Sequence, residues 1–116
     1  MSYLFVGVIG LPARAPRNSS HRPGRPFRGA SPPGFDISNE SQVEAAVSGH
    51  TVVFNCAAYT DVDGAESDEA AANKVNGLGV ELLAKACARR RIFLVHYSTD
   101  YVFSGHATQP YQVDEP

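Results

Sequence analysis

Residues 55–66 read NCAAYTDVDGAE, directly after the apolar run TVVF at 51–54. A short run of β-branched and aromatic residues bounded by polar ones has the character of a buried strand. Its break at Asn55 into two alanines and an acidic segment marks the strand's end. The tip is either one wall of a ligand site or a plain strand, turn and helix start. Working outward, YLFVGVI at 3–9 and IFLVHY at 92–97 are two further apolar runs without alternation. Strands of that kind are predicted to be buried on both faces of a sheet.

The spacing between these runs predicts helices. Asn39 is placed to cap a short helix with Gln42 at the N3 position, with Val43, Ala46 and Val47 on its buried stripe and Gly49 ending it. A longer helix is expected from about Ser67 to Arg89, burying Val75, Gly79, Leu82, Leu83 and Ala86. Arg89, Arg90 and Arg91 at its end complement the negative end of the helix dipole and are expected to face water. Strand–helix alternation with such strands predicts a parallel α/β sheet, whose ligands bind beyond the carboxyl ends of the strands.

Residues 11–34 break the pattern. Prolines at 12, 16, 23, 26, 32 and 33 rule out a regular helix or central strand, and the segment is expected to be irregular or disordered. Arg14, Arg17, Arg22, Arg25 and Arg28 precede the first acidic residue, Asp36, yet the whole chain carries a formal charge of only −2. That balance gives no argument for a nucleic-acid or membrane partner. The chain of 116 residues has room for one domain at most. Cys56 and Cys87 have no metal-ligand spacing and read as small buried hydrophobes of a reduced, cytoplasmic protein. No run reaches the roughly 18 apolar residues of a membrane span.

Three motifs bear on chemistry. Gly7-Val8-Ile9-Gly10-Leu11-Pro12-Ala13 follows a strand with GxxGxxA spacing, in which Gly7 and Gly10 would let backbone approach a pyrophosphate. The helix that should follow is not expected, because the proline-rich stretch opposes one. Asp36 lies about 25 residues after Gly10, where a carboxylate meets the adenosine half of a dinucleotide, or is simply an Asp beside a helix cap. The third strand ends in Ser98-Thr99-Asp100-Tyr101. Thr99 there would polarise a substrate carbonyl, or form an ordinary turn with Tyr101 and Phe103 as core aromatics. Asn76, inside the long helix, would brace a neighbouring strand end or face water.

These pieces, FDISN, NCAAYTDVDGAESDEAA, VN, HYSTDYVFSG and PYQVDEP, resemble the dTDP-4-dehydrorhamnose reductase family of extended short-chain dehydrogenases/reductases over residues 35–116. The resemblance implies a Rossmann-type, doubly wound parallel sheet, incomplete here because the Pro/Arg-rich segment stands in place of the first helix and second strand. It implies NADPH or NADH as cofactor, a dTDP-sugar substrate, reduction of dTDP-4-dehydro-L-rhamnose to dTDP-L-rhamnose, and, as the family can show, a homodimer and Mg²⁺. By matching position, Asp36 and Ile37 would flank adenine and ribose. Ala57, Ala58 and Tyr59 would line the cofactor, and Tyr97 would lie near its nicotinamide half. Thr99 would be the catalytic hydroxyl and Asp100 a sugar-nucleotide contact.

The family's Tyr-x-x-x-Lys pair has no match. Tyr3, Tyr59, Tyr97, Tyr101 and Tyr111 are followed four residues later by Gly7, Asp63, Tyr101, Gly105 and Glu115. Residues 1–116 therefore read as a partial NAD(P)-binding domain, with the substrate domain absent and turnover expected to be impaired. A non-catalytic nucleotide-binding regulatory subunit and a non-functional remnant are the other readings.

Overall fold

The computed structural model of the protein describes residues 1–7 and 27–114. Its centre is a four-stranded, all-parallel sheet in the order β2-β1-β3-β4, with β1 at Tyr3–Val6, β2 at Phe27–Ala30, β3 at Val52–Asn55 and β4 at Phe93–His96. The chain leaves β1 to form β2 on one side and later β3 on the other. This reversal is the topological switch point of a doubly wound sheet, beyond which ligands bind. The Rossmann-type class expected from the sequence is the class observed.

The expectation of no strand within 11–34 is corrected at Phe27–Ala30. Those four residues contain no proline, and β2 pairs with a described strand only on its β1 side. An edge strand needs hydrogen bonds on one side alone, which relaxes the composition it demands.

Among the described residues the two faces of the sheet differ in burial. Along β1 and β3 half-buried and buried residues alternate, while β4 runs exposed, half-buried, half-buried, exposed. Leu4, Val6 and Val53 share a core with Val43 and Val47 of α1 (Glu40–Val47) and with Leu83, Ala86 and Cys87 of α4 (Val80–Arg90). Both helices lie on that face, and each fully buried aliphatic side chain there contributes about 1.5–3 kcal/mol. The opposite face carries Phe5 stacked on Phe54 with ring centroids 4.8 Å apart.

Helix α1 is capped as expected, Asn39 Oδ1 accepting from Gln42 N–H at 3.1 Å. The single helix expected from Ser67 is instead a series: α2 (Val62–Ser67), α3 (Glu69–Asn73), a π-helical turn (Lys74–Gly79) and α4. Two aspartates cause the division. Asp61 caps α2 by accepting from Gly64 N–H. Asp68 ends α2 by donating to Gly64 C=O and starts α3 by accepting from Ala71 N–H. The arginines closing α4 do more than meet solvent. Arg89 and Arg90 both pair with Glu44 of α1, and Arg91 ends the helix in the left-handed conformation at φ 55°. These pairs are largely exposed, so they add little to stability while fixing the α1–α4 orientation.

Candidate functional site: the strand tips at the switch point

The carboxyl ends of β1 and β3 meet where the sheet's winding reverses. Gly7 follows β1 with φ +78°, donates to Ala30 C=O at 2.9 Å, and leaves Val6 C=O to accept from Cys56 N–H at 2.9 Å. A Cβ on Gly7 would fall into the Ala57 backbone and 2.5 Å from Ala57 Cβ. Only glycine satisfies both conditions, the positive φ and the close approach. Two expected cofactor residues, Gly7 and Ala57, are therefore in direct contact. Gly10 lies outside the described residues.

Beyond Ala57, the exposed Ala58 and half-buried Tyr59 continue the wall. Asn76 grips it at two points: its Oδ1 accepts from Tyr59 N–H at 2.8 Å, and its Nδ2 donates to Tyr59 C=O at 3.2 Å. Of the two readings of Asn76, bracing a strand end is the one observed. It occupies the π-helical turn, a local departure from α-geometry of the kind that frequently marks functional sites. Gly64 lies close under Tyr59, since a Cβ there would come 2.9 Å from the Tyr59 hydroxyl.

The neighbouring tip follows β4, whose His96 is in register with Asn55 of β3. Tyr97 is 59% exposed, open to any occupant of the tip. Thr99 caps a 3₁₀ turn at Asp100–Val102: its hydroxyl donates to Asp100 Oδ1 at 3.2 Å and accepts from Tyr101 N–H at 3.3 Å. The hydroxyl-capped turn is thus real, while Tyr101, 78% exposed, is not the core aromatic that the turn reading expected. Phe103 stacks instead on Tyr111, centroids 4.3 Å apart.

Asp36 and Ile37 lie on a third segment. Asp36 Oδ1 accepts from both N–H and Oγ–H of Ser38, at 2.9 and 2.7 Å, and these bonds hold its carboxyl below the usual carboxylate range. Its Oδ2 lies 4.0 Å from Lys74 Nζ. The Asp-beside-a-cap geometry is therefore present, with one carboxylate oxygen facing a cation. Ile37 is buried, and a Cβ on Gly79 would come 2.7 Å from its Cγ2. The Ile37 side chain anchors the segment to the π-helical turn, so a ligand would meet its backbone.

Sequence reasoning assigned no role to Lys74, or to His96, whose Nδ1 lies 3.1 Å from Asn55 Nδ2. Both partnerships cross between elements, and the apolar pattern of the strands carries no trace of them. Burial pushes the Cys56 thiol up, which argues against a thiolate at the tip. Among the described residues, no cluster of His, Cys, Asp or Glu could hold a metal ion, and no helix is long and apolar enough to cross a membrane.

Known proteins share this fold. The family model described as RmlD substrate binding domain matches residues 1–116. A dTDP-4-dehydrorhamnose reductase of Mycobacterium tuberculosis H37Rv is 50% identical over 84 residues, covering 72% of this chain and 28% of the relative. The crystal structure of a dTDP-4-dehydrorhamnose reductase from Clostridium acetobutylicum superposes with a TM-score of 0.89 at 30% identity, over all of this chain and 42% of that one. The enzyme of that name from Bacillus anthracis, solved in complex with NADP, gives a TM-score of 0.81 at 30% identity, over 90% of this chain and 38% of that one. The chain spans less than half the length of each of these relatives. With a parallel sheet that switches direction at Gly7 and a family model matched from end to end, the chain belongs to the RmlD substrate-binding-domain family.

Proposed function

We propose that the chain is the cofactor-side portion of an NAD(P)H-dependent keto-sugar reductase acting on dTDP-4-dehydro-L-rhamnose to give dTDP-L-rhamnose. The observation that carries this reading is the Gly7–Ala57 contact at the switch point, one strand away from the tip bearing Thr99. A dinucleotide fits such a place: small side chains and bare backbone border the tips, and the NADP-bound neighbour shares the fold.

When bound, a reduced nicotinamide would supply hydride to the C4 keto carbon. Gly7, Ala57, Ala58 and Tyr59 provide an uncharged wall, and Asp36 with the Ile37 backbone borders the adenosine end. Thr99 donates a hydrogen bond from its hydroxyl to the keto oxygen and stabilises the charge that develops there, keeping its own proton. A single such donor is worth about 10²–10³-fold. Its present acceptor, Asp100 Oδ1, is exposed at the surface, so water replaces Thr99 there at little cost. Asp100 is then free to meet the sugar nucleotide. No tyrosine here has lysine four residues on, so a positioned acid must come from outside these residues. Without it, turnover falls by about 10²–10⁴-fold. The free thiols of Cys56 and Cys87 support a reduced, cytoplasmic setting.

Two measurements on the same preparation test this. NADPH at 100 times its Kd should stabilise the fold by about 2.7 kcal/mol in thermal unfolding. Oxidation of NADPH on adding dTDP-4-dehydro-L-rhamnose should be slow and should fall further in Thr99→Val. If neither NADPH nor the dTDP-sugar shifts unfolding, the proposal fails.

A further inference from the structure

Asn55 is 1% exposed, the buried polar side chain in a core that is otherwise apolar among the described residues. Its surroundings fix the amide's orientation. Ala57 N–H can only donate, and it does so to Asn55 Oδ1 at 3.0 Å. The Nδ2 end then faces His96 Nδ1 at 3.1 Å and must donate to it. His96 Nδ1 is therefore the bare ring nitrogen, with the imidazole proton on Nε2. Parallel register makes this possible, because Asn55 and His96 are direct partners and so present their side chains on one face of the sheet.

We infer that Asn55 and His96 form a positioning pair for the cofactor wall, in which His96 Nδ1 holds the Asn55 amide and Asn55 Oδ1 holds the Ala57 backbone packed on Gly7. Neither residue need touch the cofactor. They act through Ala57, and their functional consequence rests on the crevice reading given above. Removing the His96 acceptor leaves a buried N–H unpaired or lets the amide rotate, and rotation releases Ala57.

The test uses the full 116-residue chain and two readouts. Amide hydrogen exchange compares Ala57 with Val53, which lies fully buried inside β3. NADPH titration gives the Kd. In His96→Leu, Ala57 should exchange about tenfold faster while Val53 is unchanged, and the Kd should rise about tenfold, equivalent to about 1.4 kcal/mol. His96→Gln offers Oε1 as an acceptor and should return both readouts to within about twofold of the parent. The inference is overturned if Ala57 exchange does not respond in His96→Leu, if Val53 accelerates equally, or if His96→Gln behaves like His96→Leu. Should the parent chain not bind NADPH, the cofactor reading falls, and Ala57 exchange still decides the pair.

Discussion

Replacing Gly7 with alanine separates the two demands made of that residue. One is conformational: φ is +78°, and an L-residue held in the left-handed region loses roughly 1–2 kcal/mol. The other is steric, because the new methyl would fall into the Ala57 backbone and 2.5 Å from its Cβ. Relieving that overlap means shifting the β3 tip, at about 1–3 kcal/mol for an overpacked site. Gly49 is the internal control, with φ +79° and nothing within 4 Å of an added Cβ. Gly49→Ala should therefore destabilise by about 1–2 kcal/mol and Gly7→Ala by about 2–5 kcal/mol in urea unfolding, with unchanged slopes. A loss of that size is serious for a domain with roughly 5–15 kcal/mol of stability. NADPH protection should be lost in Gly7→Ala and kept in Gly49→Ala. Equal destabilisation by the two, within about 0.5 kcal/mol, would refute the close approach as the reason for Gly7.

Asn76→Ala removes both bonds to the Tyr59 backbone and should destabilise by about 1–2 kcal/mol, with Asn76→Asp, which keeps the acceptor only, falling between. Gly79→Ala should cost about 1–3 kcal/mol through its clash with Ile37 Cγ2, and Gly79→Ala combined with Ile37→Ala should destabilise by less than the sum of the two, a coupling read from a double-mutant cycle. Burial, and secondarily the Arg28 charge, lower the His50 pKa below its ordinary 6.5, so the unfolded chain takes up that proton first. The corresponding stability is complete above pH 6.5 and is lost as the pH falls below it. His50→Gln should flatten that part of a urea-midpoint profile across about pH 5 to 8.

The sequence by itself settled what depends on neighbouring residues. Apolar runs of four to seven residues can be satisfied only by burial in strands, so β1, β3 and β4 were legible, as was the Asn39 cap whose partner is three residues away. The motifs at the strand tips carried the family. Strand β2 was not legible, because the prolines and arginines of the segment around it argue locally against a strand and only pairing with β1 overrides that preference. Nor was the division of the long helix, where Asp61 and Asp68 act as caps inside a stretch that also suits a continuous helix. The tertiary structure alone decided which expected residues meet. It set Gly7 against Ala57, sent the Ile37 side chain inward to Gly79, and joined Asn55 to His96 across 41 positions. Local pattern records whether a side chain seeks water or the core. Which partner it finds depends on strand order and register, and those follow only when the whole sheet has formed.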